Sequence, residues 1–145
     1  MTERAPLDQI RVAEAMHAGV VTCPPDAPLL EVAGLMALHR IHCVVVREDV
    51  VEQTASGAPW GIVSDLDLAA MAAAGEVAGR TAGDSAATRV VMVVPDETLT
   101  RAAQLMAEHG TAHVLVVDPV TAQPVGVLST LDLAHVVATS QPVLV

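Results

Sequence analysis

Apolar positions along this chain follow two spacings, and each spacing occurs twice. Leu29, Val32, Ala33 and Met36 recur at the three- and four-residue steps of one helix face, and so do Leu99, Ala102, Ala103 and Met106. Arg101, Gln104 and Glu108 supply polar positions of the second helix. Cys43-Val44-Val45-Val46 and His113-Val114-Leu115-Val116-Val117 are continuous runs rich in β-branched residues, which predicts buried strands. Further strands are predicted at 20–22, 60–63 and 124–128, and further helices at 65–74 and 130–138. Pro24 and Pro25 stop any helix before the first stripe, and Asp26 is the expected cap of the helix that follows. A short helix at 82–86 is expected to match residues 12–16.

The repetition extends to identity. Gly61-Ile62-Val63-Ser64-Asp65-Leu66-Asp67-Leu68 returns as Gly126-Val127-Leu128-Ser129-Thr130-Leu131-Asp132-Leu133, and Pro25-Asp26-Ala27-Pro28-Leu29 returns as Pro95-Asp96-Glu97-Thr98-Leu99. Residues between the two markers are more numerous in the first copy, where 47–59 reads as a long acidic loop. The expected organisation is a first copy at 7–74, a linker at 75–81, a second copy at 82–139 and a frayed tail at 140–145. The fold class is α/β, with each copy reading β-α-β-β-α. A unit of this size rarely closes a core alone. Two three-stranded sheets, each with helices on one side, are therefore expected to pack face to face with pseudo-twofold symmetry.

Composition narrows the chemistry. Of 145 residues 52% are apolar, yet there is one Trp and no Phe or Tyr, so Val, Leu, Ala, Ile and Met must build the core. Seventeen acidic against seven basic residues give a net charge of −10. That balance argues against nucleic acid and against anionic membrane surfaces as partners. The chain contains no Lys, which excludes lysine-based covalent chemistry. Cys23 and Cys43 have no redox or disulfide-scaffold spacing and read as buried free thiols. With no visible signal peptide and no long apolar run, a soluble cytoplasmic protein is expected.

The repeated Gly-x-x-Ser-x-x-Asp carries the candidate site. Ser64 and Ser129 stand where a strand gives way to a helix, whose first N–H groups and partial positive charge suit a phosphate. Asp67 and Asp132 fall in the first helical turn, where a carboxylate can accept both hydroxyls of a ribose. The same spacing makes a capping box, in which serine caps the helix and the acid reaches back. His39, His42, Cys43, His109 and His113 match no structural zinc spacing, so no metal is expected. Trp60 is read as the cover of a core edge before a purine stack, and Arg80 and Arg89 as solvent-facing or carboxylate-paired. No activated nucleophile or acid–base pair emerges, so catalysis is not expected.

In both copies, and in order across roughly residues 7–139, these motifs resemble the cystathionine beta-synthase (CBS) domain family, specifically the tandem pair called a Bateman module. The resemblance implies an adenosine-type ligand held between the repeats. It places Ser64 and Ser129 near phosphate and Asp67 and Asp132 on ribose. Val44, Val45, Val114 and Leu115 would wall the base pocket, with the Thr22 and Val94 backbones near the base. Many relatives carry arginine just before the aspartate, where this chain has Leu66 and Leu131; AMP, adenosine or S-adenosylmethionine therefore fits better than ATP. No cofactor is implied. The family usually forms flat homodimers through helices such as those at 66–74 and 131–138, and it signals to a regulated protein. Of the two motifs, the one with Asp132 is favoured, because the acidic loop of the first copy would repel phosphate. The contrasting reading is a structural or protein-interaction homodimer without a small-molecule ligand.

Overall fold

The computed structural model describes residues 6–47, 61–86 and 90–140. The acidic loop at 48–59, Trp60, Arg89 and the tail at 141–145 lie outside the described residues. The chain divides into two compact units, one made of residues up to Gly19 together with those from Val91 onward, the other of Val20–Val90. These units cut across the two sequence copies. Each copy opens with a short lead-in segment that packs in the unit of the other copy.

The second unit holds β2 (Thr22–Cys23), α2 (Leu29–His39), β3 (Cys43–Val46), β4 (Gly61–Ser64), α3 (Asp65–Ala73) and α4 (Ala82–Ser85). Its sheet runs β2-β3-β4, with β2 parallel and β4 antiparallel to the central β3. The predicted stripe is the buried face of α2, and Leu29, Val32 and Met36 pack with Cys23, Val44, Val46, Val63 and Ala82. The helix is not capped by Asp26 as expected. Its N-cap is Pro28, which makes no side-chain cap. Backbone from the lead-in of the other copy borders this turn instead. The Leu29 N–H donates to the Arg80 carbonyl, and the Ala82 and Gly83 N–H groups donate to the carbonyls of Ala27 and Pro25. Thr81 and Asp84 close a capping box on α4, and the bonds from Thr81 hold the Asp84 carboxyl below the ordinary carboxylate range.

The first unit repeats this plan with the other lead-in. It holds a 3-10 turn (Pro6–Gln9), α1 (Val12–Ala15), β1 (His17–Ala18), β5 (Met92–Val93), α5 (Leu99–His109), β6 (His113–Val117), β7 (Pro124–Ser129) and α6 (Thr130–Ser140). The Leu99 N–H donates to the Ile10 carbonyl, and the Val12 and Ala13 N–H groups donate to Glu97 and Pro95, the counterparts of the three bonds above. Val12 is fully buried with Leu99, Ala102, Met106, Val114, Val116 and Leu128. This sheet departs from the expected three strands. Its order is β1-β7-β6-β5, with His17–Ala18 added antiparallel to β7 as an edge. Gly126 permits that addition. A Cβ there would lie 2.6 Å from the His17 carbonyl oxygen and 2.8 Å from the Met16 sulfur, closer than real contacts allow.

The helix ends show how far the copies have diverged. α2 ends on Arg40 and α5 on Gly110, both in the left-handed region with φ of 53° and 59°. Glycine adopts this conformation without strain, whereas a residue with a Cβ pays about 1–2 kcal/mol for it.

Candidate functional site

Both repeated motifs form the same junction. In the second unit Ser64 ends β4 and caps α3. The Asp67 N–H donates to the Ser64 hydroxyl at 3.1 Å, while the Ser64 N–H and hydroxyl both donate to Asp67 Oδ2 at 2.9 Å. In the first unit the Ser129 N–H and hydroxyl donate to Asp132 Oδ2 at 2.8 and 3.0 Å, and the Asp132 N–H returns a bond to the Ser129 hydroxyl at 3.2 Å. The capping box is thus formed at both places. It engages one oxygen of each carboxylate, Oδ2, and leaves Oδ1 outside the box.

The outer oxygens differ in their surroundings. Asp132 Oδ1 is 2.8 Å from His17 Nε2. For Asp67 Oδ1 no partner stands among the described residues. Nothing in the local sequence marks His17: it reaches Asp132 across most of the chain, through the β1–β7 pairing. His17 and Asp132 line a groove of about 650 Å³ together with Glu14, Leu131, His135 and Val136.

Strand alternation divides the predicted base wall. Val44 and Val114 point to the helix side, inside the cores of their own units. Val45 pairs in register with Thr22 and Ile62, and this row lies on the opposite face of the sheet. Leu115 stands likewise in a row with Met92 and Val127. Thr22 is exposed in β2, and Val94 is half-buried just after β5. Within each unit the motif and the strand row therefore belong to one sheet, while Val44 and Val114 serve the core.

The remaining candidates have structural partners. Arg80 lies 3.6 Å from Glu76. His42 Nδ1 is 2.8 Å from Asp65 Oδ2 at the start of α3, and His109 Nδ1 is 3.1 Å from the Leu105 carbonyl at the end of α5. Among the described residues no three His, Cys, Asp or Glu side chains converge to hold a metal ion. No described helix is long and apolar enough to cross a membrane.

Cys23 and Cys43 are buried free thiols, in agreement with the sequence. Burial above all pushes each up to about 11, with Glu31 adding at Cys23 and Asp65 at Cys43. The folded chain keeps these protons to higher pH than the unfolded chain. Their contribution to stability is thus complete below the ordinary thiol value of 9.0 and is lost as pH rises toward about 11. At about pH 8 a thiol reagent should label neither cysteine until denaturant is added, because the thiolate is the reactive form. Rapid labelling of the native protein would contradict the assigned burial.

Known proteins share this architecture. The CBS domain profile matches residues 12–73 and 82–139. The CBS domain-containing protein YhcV of Bacillus subtilis (strain 168) is 32% identical over 124 residues, covering 85% of this chain and 82% of that protein. CBS domain protein PAE2072 from Pyrobaculum aerophilum, solved in complex with AMP, superposes with a TM-score of 0.74 at 27% identity, covering 90% of this chain and 99% of that one. The CBS domain pair of protein MJ0100, solved with 5-methylthioadenosine and S-adenosyl-L-methionine, gives a TM-score of 0.77 at 20% identity over 91% of this chain and 98% of that one, a likeness of fold. With its duplicated motif, its repeated unit and these matches across both copies, the chain belongs to the CBS domain family as a tandem pair of CBS domains.

Proposed function

We propose that this chain is a non-catalytic regulatory module whose CBS repeats bind an adenosine-containing ligand, AMP-like before ATP-like. The observation that carries the reading is the second oxygen of Asp67, which its complete capping box leaves without a partner among the described residues. A carboxylate oxygen next to a helix N-terminus can accept ribose hydroxyls while the first N–H groups face phosphate. Ser64 and Ser129 take the phosphate role and Asp67 and Asp132 the ribose role. The Val45 and Leu115 side chains border the base, with Thr22, Val94 and the backbones of Val44 and Val114 beside it. The AMP complex of PAE2072, at 27% identity, supports this chemistry. Leu66 and Leu131 bring no charge to further phosphates, which favours the monophosphate.

The signal would pass to a regulated protein through a homodimer. Leu66, Leu131 and Val137 are exposed apolar side chains on α3 and α6 and offer the surface a second copy would cover. These same side chains favour the contrasting reading, an interaction module without a ligand, because both capping boxes are complete with protein atoms alone.

Thermal-shift screening with AMP, ADP, ATP, NAD and S-adenosylmethionine separates the two. A ligand that binds only the folded state at about 100 times its Kd adds about 2.7 kcal/mol of stability. AMP should raise the melting temperature more than ATP, and light scattering should give the mass of a dimer. No shift with any of the five at millimolar concentration would leave the interaction module as the function.

A further inference from the structure

We propose that His17 is a latch on the second motif, so that the two CBS motifs present unequal ligand sites. The inference rests on the ribose role proposed for Asp67 and Asp132. A carboxylate offers about four acceptor positions. At Asp132 two are taken on Oδ2 by the Ser129 N–H and hydroxyl, and Oδ1 is obstructed by His17 Nε2 at 2.8 Å. One position remains, and a ribose diol needs two. At Asp67 only the two bonds from Ser64 are present among the described residues, so two positions remain. In the lead-in of the other copy, position 87, which matches 17 in the repeat, is alanine.

The latch is built for exchange. The His17 backbone is fixed by pairing with Val127 in β7 and by the close approach over Gly126. Its side chain is 79% exposed, whereas that of Asp132 is 10% exposed. The imidazole can therefore swing into solvent while the carboxylate stays in place. While the imidazole stands on Oδ1 it obstructs the second acceptor oxygen of Asp132, and the second oxygen of Asp67 stays open among the described residues.

Two measurements test this. The first needs no ligand: a double-mutant cycle of His17→Ala and Asp132→Asn in urea denaturation. The two shifts should fail to add. Additive shifts would show that the latch does not form and would overturn it. The second is AMP calorimetry in an Asp67→Ala background, which reads the Asp132 site alone. His17→Ala should there raise affinity about threefold or more, the size of one partner removed from the carboxylate. Affinity that His17→Ala leaves unchanged or lowers would overturn the latch with the ribose reading intact. If coupling is present in urea but AMP binds no variant, nor the unaltered chain, the ribose reading itself fails and the latch falls with it.

Discussion

A chain beginning at Val20 is expected to lose at least about 5 kcal/mol of stability in the unit built on the second copy, although every residue of that copy is still present. Val12 is fully buried in that unit, and Leu7, Ile10, Ala15 and Met16 pack against the same core. Exposing one fully buried valine costs roughly 1.5–3 kcal/mol, and the partly buried neighbours add to it. The backbone loses its bonds between Val12 and Glu97, Ala13 and Pro95, Leu99 and Ile10, and Gly19 and Val125. Each contributes about 1 kcal/mol net, and any donor left buried costs more. Domains of this size hold only about 5–15 kcal/mol in total. Urea denaturation followed by amide exchange should therefore show the 91–140 amides exchanging early, while those of 20–86 keep their protection. Adding a peptide of residues 6–19 in trans should restore protection. A truncated chain with unchanged exchange in both regions would mean that the lead-in is an appendage and not part of the core.

That exchange of lead-in segments marks the limit of what the residues announce. The duplication, the helical stripes through Leu29 and Leu99, the buried strands and the short helix pairing of 12–16 with 82–86 are all written in local spacing, and each stands in the structure. Local spacing does not reveal which copy receives a lead-in, since the bonds of Val12 to Glu97 and Ala82 to Ala27 link positions far apart in the chain. The edge strand His17–Ala18 is two residues long, too short for any alternation to register. For the same reason the pattern predicts three strands for a sheet that has four. Residue type favours Asp26 as a cap, but the backbone of Arg80 and Pro28 occupies that end of α2.

The candidate site divides in the same way. The capping box at Ser64 and Asp67, and at Ser129 and Asp132, is a contact between residues three apart, so sequence spacing foretells it well. The split of the base wall follows from the period of a strand. Val44 and Val45 cannot share a face, and only the core contacts decide that Val44 turns inward. His17 leaves no trace in the pattern, because its partner lies in a helix at the far end of the chain.

The Asp67→Ala substitution should weaken AMP binding by the chain at neutral pH more than Asp132→Ala does. This order reverses the sequence-based preference for the Asp132 motif, which weighed only the acidic loop of the first copy. The second carboxylate oxygen decides it. Asp132 Oδ1 already stands against the His17 imidazole at 2.8 Å, so ribose gains there only the difference between two partners. At Asp67 ribose would replace water alone, and each hydrogen bond to the carboxylate is worth about 1.5–3 kcal/mol before desolvation is counted. Asp67→Ala should thus reduce affinity at least about tenfold, and the double variant should remove binding of the ribose altogether. Both substitutions also remove the reach-back arm of a capping box, which costs about 0.5–2 kcal/mol of fold stability. Calorimetry must accordingly be run where circular dichroism shows each variant folded. Asp67→Asn serves as a control, since its carbonyl can keep the cap while its charge is gone. Equal losses from the two alanine substitutions would mean that His17 does not compete with the ligand. Unchanged affinity in both single variants and in the double variant would remove the carboxylates from recognition entirely.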